Sequence, residues 1–270
     1  MEQSGRERRR NGALRARSMT AVNLVRLGLP QATEACLFDL DGVLTKTARL
    51  HAAAWKEMFD AFLRERSKRR GESFVPFDPS TDYGEYIDGK LRSEGVRAFL
   101  ASRGIDLHEG EASDPPAANT IHGLGNRKNE LVLALIRKKG VETYEGSVAY
   151  VYAARAAGLR RAVVSASENA RDVLEAAGIE DLFEVRIDGV VAAQEHLRGK
   201  PDPDTFLAAA RALEVDAGQA AVFEDSLAGV EAGRAGGFGF VVGVDRVGHA
   251  AGLRASGADI VVKDLAELMK

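Results

Sequence analysis

Disulfides are the first thing this chain does without: it has one cysteine, Cys36, so no internal bridge can form. Long apolar runs are missing too, none approaching the ~20 residues that a membrane-spanning helix needs. Nor is there an excess of charge of one sign, since the formal net charge is −3 over 270 residues. That balance gives no reason to expect nucleic acid as the main partner. No internal repeat is visible. What remains is 45% hydrophobic and 29% charged residues, ordinary for a soluble globular protein, and the cytoplasm is the expected compartment. The length suffices for one large domain or two modest ones. Cys36 lies in an apolar stretch and reads as a buried, inert thiol.

Residues 1–20 carry six arginines (Arg6, Arg8, Arg9, Arg10, Arg15 and Arg17) against Glu2 and Glu7. An Arg-rich, acid-poor segment can serve as a transit signal or an anion-binding arm, but the two acids and the lack of an apolar h-region argue against export. Residues 1–30 are expected to be a solvated, flexible tail, with Val22–Leu29 packing weakly before Pro30.

From Ala32 short apolar runs alternate with Ala-rich helical stretches. Ala35–Leu40, Arg161–Ser165, Val185–Ile187, Ala220–Phe223, Gly239–Val242 and Ile260–Val262 read as strands. Ser147–Ala157, Ala170–Ala177, Asp202–Leu213, Leu227–Ala235 and Leu265–Met269 read as helices between them, with Gly158, Gly178 and Gly236 at C-cap positions. Such alternation, with near-continuous apolar strands, predicts a doubly wound parallel sheet (a Rossmann-like α/β core) whose ligands sit beyond the carboxyl ends of the strands. Between Lys46 and Tyr144 the pattern turns helical: Leu50–Arg66, Val96–Arg103 and Lys128–Lys139 carry apolar residues at helical spacing. Long polar links, Ser67–Asp82 and Glu109–Thr120, join them. The expected organisation is a core of residues 31–46 and 145–270, with a helical cap, 47–144, inserted after the first strand. Its two crossings would act as hinges.

The stretch that organises the rest is Cys36-Leu37-Phe38-Asp39-Leu40-Asp41-Gly42-Val43-Leu44-Thr45. On an extended segment Asp39 and Asp41 point to the same face, so two carboxylates converge at the strand's end. Their repulsion makes the pair costly unless a cation or substrate chemistry needs it. Asp and Gly also favour plain turns, but an apolar strand, D-x-D, Gly and Thr in one phrase go beyond a turn. Three later strand ends carry further candidates. Val163-Val164-Ser165-Ala166-Ser167-Glu168-Asn169 leads into a helix, where an N-cap or an anion site uses the same physics. Gly199-Lys200-Pro201-Asp202-Pro203-Asp204 suits a helix start with Asp202 as N-cap and Pro203 at the first position, which leaves Lys200 unexplained. Val222-Phe223-Glu224-Asp225-Ser226 ends another strand in acids. The sheet brings them beside Asp39 and Asp41, and four carboxylates together call for a hard divalent cation such as Mg²⁺.

These phrases resemble, in order, the motifs of the haloacid dehalogenase superfamily. Thr47-Ala48-Arg49-Leu50-His51-Ala52-Ala53-Ala54-Trp55 resembles the cap start of its β-phosphoglucomutases, T-A-x-x-H-x-x-A-W. The resemblance covers residues 34–242 and implies a set of roles. Asp39 would be the nucleophile toward a phosphoryl group and Asp41 the proton shuttle. Ser165 would hold the transferring phosphoryl, and Lys200, in K-P-x-P-D-x-F, would neutralise it. Asp225, in E-D-S-x-A-G, would ligate Mg²⁺ with Asp39 and the Asp41 carbonyl, with Glu224 near or behind. Ser167 and Asn169 would hold a distal phosphate. In the cap, Arg92 of a G-x-x-R run would clamp that phosphate, and Lys128 of R-K-N would add a sugar or phosphate contact. Thr47 and Trp55 would be further substrate contacts, and His51 a relay between cap closure and Asp41. His108, His122, His196 and His249 show no ligand spacing and read as surface residues.

Two departures stand out. Glu168 occupies a position where the mutases carry a lysine, and Lys46 replaces an acid after the first motif. The expected activity is phosphoryl transfer on a small phosphorylated sugar through an aspartyl-phosphate, converting β-glucose 1-phosphate to glucose 6-phosphate. A phosphatase using the same residues is the alternative. A non-catalytic phosphosugar-binding protein is a third reading, disfavoured by intact Asp39, Asp41, Lys200 and Asp225. On oligomeric state the sequence is silent; a monomer is favoured.

Overall fold

The computed structural model describes Leu24 and residues 26–270. The arginine run of residues 1–20 lies outside the described residues. Of the segment ahead of Pro30, Leu24, Leu27 and Leu29 are buried, and the Tyr150 hydroxyl donates to the Leu27 carbonyl at 2.8 Å.

The chain opens with β1 (Ala35–Phe38), followed by α1 (Ala48–Arg70), α2 (Arg92–Ser102) and α3 (Ile121–Lys139). It continues through α4 (Glu145–Ala156), β2 (Arg160–Val164), α5 (Ala170–Ala177), β3 (Val185–Ile187) and α6 (Gly189–Gln194). The last part is α7 (Asp204–Ala212), β4 (Ala220–Glu224), α8 (Leu227–Ala235), β5 (Phe240–Val244), α9 (Ala250–Ala255) and β6 (Ile260–Val262). All strand pairs are parallel, in the order β3-β2-β1-β4-β5-β6. The expected doubly wound α/β core is the one observed. Because both faces are covered, alternate residues of one strand enter two different cores. Cys36 and Phe38 pack with Tyr150 of α4 and Val173 of α5, while Ala35 and Leu37 pack with Phe206 of α7 and Val230 of α8. Phe38 stacks on Phe223 at 4.5 Å between ring centres and meets Tyr150 edge-on at 6.3 Å. These rings fix the ends of β1 and β4, from which the candidate acids project.

The segment between β1 and β2 is helical throughout its regular elements. Its two crossings run side by side. Thr45 bridges Thr143 in antiparallel fashion, Lys46 N–H donates to the Glu142 carbonyl at 2.8 Å, and Tyr144 N–H to the Leu44 carbonyl at 2.9 Å. Lys46, the substituted residue, pairs with the Glu142 carboxylate at 3.0 Å on the exposed rim. Inside the insertion, α1 buries Trp55, Met58, Phe59, Phe62 and Leu63 against α2 and α3.

Several elements differ from the sequence reading. The link over residues 67–82, expected to be polar, carries an apolar anchor: Phe77 is 1% exposed and lies 5.3 Å from Phe59 and 5.0 Å from Phe99. Its N–H donates to the buried Asp60 carboxylate at 2.8 Å. One aromatic in a polar run has no period to detect. α7 begins at Asp204 with Pro203 before it, so Asp202 is not the cap. Arg198 instead gathers both acids, at 2.8 Å from Asp202 and 2.9 Å from Asp204. At the end of α8, Gly236 keeps helical backbone and Gly237 takes the left-handed turn, φ 69°. The short helices α6 and α9 and a π-helical turn at Tyr83–Ile87 are too brief for periodicity to reveal.

Phe77→Ala should destabilise the insertion by about 3–5 kcal/mol, the usual cost of emptying a buried aromatic site. The one tryptophan, Trp55, stacks on Phe59 at 5.3 Å. Urea unfolding followed by its fluorescence should show an earlier transition, and an unchanged midpoint would mean that Phe77 is not an anchor.

Candidate active site

Beyond the carboxyl ends of β1, β2 and β4 lies a pocket of about 60 Å³, roofed by the helical insertion. Asp39, Asp41, Ser165, Ser167, Asn169 and Asp225 line it from the core. His51, Trp55, Arg92 and Lys128 line it from the insertion. The structure thus brings together most of the residues singled out from the sequence.

Lys200 is 3% exposed and donates to Asp39 Oδ1 at 2.6 Å and to Glu224 Oε1. Burial alone would push this ammonium down, and Asp39 and Glu224 more than reverse that, so it stays charged. Glu224 was expected near the metal or behind its ligands. It is 1% exposed, with Oε1 given to Lys200 and Oε2 accepting from Ser226 N–H and Oγ, both at 2.9 Å. These bonds hold the lysine and the start of α8. Thr47, expected to touch substrate, is 1% exposed and lies outside the pocket lining. Its hydroxyl donates to Asp41 Oδ1 and lies 2.6 Å from the Thr45 hydroxyl. Thr47 therefore aims Asp41. The Asp41 carboxylate is held by Thr47 and approached by Ser165 Oγ at 3.5 Å.

Lys128, expected as a sugar or phosphate contact, is 5% exposed although bases on such helices usually meet solvent. Its Nζ lies 2.9 Å from His51 Nδ1 and 5.0 Å above the Trp55 ring. Burial pushes it down to about 7. Burial, then the Lys128 charge, pushes His51 down to about 4, so the imidazole is neutral. With Nδ1 facing the ammonium, the ring proton belongs on Nε2, which points at Asp41 Oδ1 from 3.7 Å and makes no hydrogen bond among the described residues. His51 is placed for a relay whose last bond is open. Arg92 donates to Asn126 Oδ1 at 3.2 Å and to Glu168 at 2.7 Å. Asn169 Nδ2 donates to Asn129 Oδ1 at 2.7 Å, and Ser167 Oγ accepts from Asn169 N–H at 3.2 Å.

Sequence reasoning missed four residues around the site. Asp88, just before Gly89, also lines the pocket, and burial, then Glu224, pushes it up to about 7. Its only signal was an acid beside the G-x-x-R run. Tyr83, above the same acids, is raised by burial, then by Asp88. His249, read as a surface residue, brings Nε2 to 3.0 Å from the Asp225 carbonyl. Arg246 was overlooked as well: it donates to the carbonyls of Gly42 at 2.8 Å and Val43 at 3.2 Å, and its guanidinium lies 3.5 Å from the Tyr144 ring centre.

Asp39 and Asp225 are both pushed well up, mainly by burial, with neighbouring acids adding to it and Lys200 opposing. Asp225 lies so close over Gly42 that a Cβ there would collide with its carboxylate, and Gly42 has φ 100°. Only glycine permits that approach. No group of three or more His, Cys, Asp or Glu side chains is assembled as a metal site among the described residues. Crowded, desolvated carboxylates with a nearby carbonyl still suit Mg²⁺, which takes one or two carboxylates and completes its shell with water and phosphate oxygens.

Comparison with known proteins agrees with this arrangement. Residues 33–237 match the family model of the haloacid dehalogenase-like hydrolases. A β-phosphoglucomutase of Mycobacterium bovis is 56% identical over 246 residues, covering 90% of this chain and 94% of its own. The β-phosphoglucomutase of Bacillus subtilis is 31% identical, covering 87% and 91%. The crystal structure of β-phosphoglucomutase from Clostridium difficile superposes with a TM-score of 0.69 at 27% identity, covering 87% of this chain and 93% of that one. The chain therefore belongs to the haloacid dehalogenase-like hydrolase family, in its β-phosphoglucomutase-like branch.

Proposed function

We infer that the protein is a phosphosugar mutase that converts β-glucose 1-phosphate to glucose 6-phosphate through a phosphorylated Asp39. The observation that carries this reading is the Asp39–Lys200 contact at 2.6 Å, at the floor of a pocket whose roof supplies Arg92 and Lys128. It is supported by relatives named β-phosphoglucomutase, one of them 56% identical. Asp39 Oδ attacks phosphorus as the P–O bond to the leaving oxygen breaks, giving an aspartyl phosphate. Asp41, aimed by Thr47, gives that oxygen its proton and later takes one from the sugar hydroxyl that accepts the phosphoryl group. Lys200 offsets charge on the nucleophile and the equatorial oxygens. Ser165 holds a phosphoryl oxygen. Asp39, Asp225 and the Asp41 carbonyl would hold Mg²⁺, which supplies neutralisation of the phosphoryl oxygens. The insertion acts as a cap that excludes water, and the paired crossings at Thr45 and Thr143 serve as its hinge. No helix among the described residues is long and apolar enough to cross a membrane, and with a single buried thiol we place the enzyme in the cytoplasm. A phosphatase is the second reading, favoured by one observation: the Glu168 carboxylate sits on Arg92, where a distal phosphate would bind.

Three outcomes test this. With a trace of sugar bisphosphate and Mg²⁺, β-glucose 1-phosphate should yield glucose 6-phosphate with little inorganic phosphate, both measured in one incubation. Stoichiometric phosphate without glucose 6-phosphate would make the protein a phosphatase. Asp39→Asn should cut turnover by about a thousandfold or more, the scale of a lost nucleophile, and abolish the phosphoenzyme seen in acid-quenched samples. A chelator should stop turnover and added Mg²⁺ restore it, with Asp225→Ala raising the Mg²⁺ requirement. Activity that persists in chelator would sink the cation argument.

The pH profile is a further test. Lys128, pushed down to about 7, is charged below that pH and neutral above it. Its attraction for an anionic substrate is therefore present below pH 7 and lost as pH rises through it. Accordingly kcat/KM, which reports the free enzyme, should fall on the alkaline side. Lys128→Arg, whose side chain stays charged, should flatten that limb. An unchanged limb in the arginine variant would assign it to another group.

A further inference from the structure

We propose that Glu168 is a specificity-determining residue: a resident carboxylate that pairs with Arg92 and that only an anionic distal group of the substrate displaces. This rests on the reading above, in which Arg92 faces the substrate's far end. Arg92 lies on the insertion and Glu168 beyond the end of β2, and their 2.7 Å ion pair joins the two parts across the pocket mouth. Among the described residues only Nη2 of the guanidinium is engaged, by Glu168 and Asn126. Its capacity for a two-point grip on a phosphate is thus unused.

Both partners also line a second cavity, of about 310 Å³, with Ser93, His122 and Gln194 on its walls. A carboxylate leaving Arg92 therefore has room to enter beside these three polar side chains. The Glu168 side chain is 38% exposed, so its ion pair is of the weakly held, solvent-screened kind. A phosphate carries nearly twice the charge of Glu168 and three acceptor oxygens, enough to take both guanidinium nitrogens. A distal hydroxyl carries none and leaves the internal pair intact. Glu168 thus sets a threshold: every ligand with an anionic far end binds at the expense of this pair, and a ligand without one binds beneath it. Lys128 feels the same two charges, Arg92 repelling its proton and Glu168 favouring it. Removing Glu168 would leave two cations facing the far end of the pocket.

The test measures binding by calorimetry, with Mg²⁺, in an Asp39→Asn background that cannot turn ligand over. Glucose 1,6-bisphosphate and a small aryl phosphate, which has no distal anion, are compared. E168Q keeps the shape and removes the charge. It should tighten the bisphosphate about tenfold, on the scale of a close charge pair, and leave the aryl phosphate within about twofold. E168A should do the same. In an Arg92→Ala background the gain from E168Q should vanish, because the two residues act as one contact. Unchanged or weaker bisphosphate binding, equal gains for both ligands, or a gain that survives loss of Arg92 would overturn the proposal. If the bisphosphate binds no variant at all, the mutase reading falls with it. If it binds and E168Q changes nothing, only the role of Glu168 falls.

Discussion

Lys200 keeps its proton in a place where water barely reaches because Asp39 and Glu224 close on it from the ends of two neighbouring strands. A buried ammonium with either partner removed would be left uncompensated, and that is far costlier than exchanging a surface pair. The geometry follows from this demand. The end of β1, the end of β4 and the loop before α7 are pulled to one point. Glu224 then spends its other oxygen on Ser226, whose hydroxyl also accepts from Gly229 N–H at 3.0 Å and so starts α8. One charge thus sets the nucleophile's position and the direction of the chain leaving β4.

A second regularity concerns helix starts. Ser, Thr and Asn are expected there to cap free N–H groups. Thr47 stands at the start of α1 and Asn169 at the start of α5, and neither side chain caps. Thr47 gives its hydroxyl to Asp41, and Asn169 donates its amide to Asn129 across the pocket. By contrast Thr120, far from the pocket, accepts from Gly123 N–H in the ordinary way. At Thr47 and Asn169 the local rule gives way to contacts within the site, whereas Ser226, which also lines the pocket, both caps α8 and holds Glu224.

The same contrast explains what the sequence made legible. The sheet was readable because each strand is a buried apolar run, and the D-x-D phrase and the strand-end acids followed from where such runs stop. The helical insertion was readable from its period. What escaped was whatever depends on distance in space rather than spacing in sequence. Asp88 joins acids that lie about fifty residues before it and more than a hundred after it. Arg246 reaches back two hundred residues to hold a loop, and His249 turns back from the next loop to hold the Asp225 carbonyl. Phe77 is an anchor only because Phe59 and Phe99 happen to receive it. Thr47 and Glu224 were recognised as residues of the site, but their buried hydrogen bonds make them supports rather than contacts.

The site is divided by sign. The core supplies Asp39, Asp41, Glu224 and Asp225 around a single lysine, while the insertion supplies Arg92 and Lys128 and only one acid, Asp88. Neither half suits a phosphate monoester alone: the acid end repels it without a cation, and the basic end has no nucleophile. Closed together, they suit a ligand with anionic groups at both ends, one beside Asp39 and one beside Arg92. Away from the pocket Ala54, Val132 and Ile136 of the insertion pack into the core cluster of Phe38 and Tyr150; at the pocket the contacts between the two parts are fewer. Gly89, at φ 75°, presses against Ser226 where a Cβ would meet the hydroxyl at 2.8 Å, Asn129 meets Asn169, and Arg92 meets Glu168. Two of those three are polar pairs at the pocket itself. On the role proposed for Glu168, a ligand that competes for Arg92 breaks one of these contacts and must replace it, so the far end of the ligand is felt where the insertion meets the core.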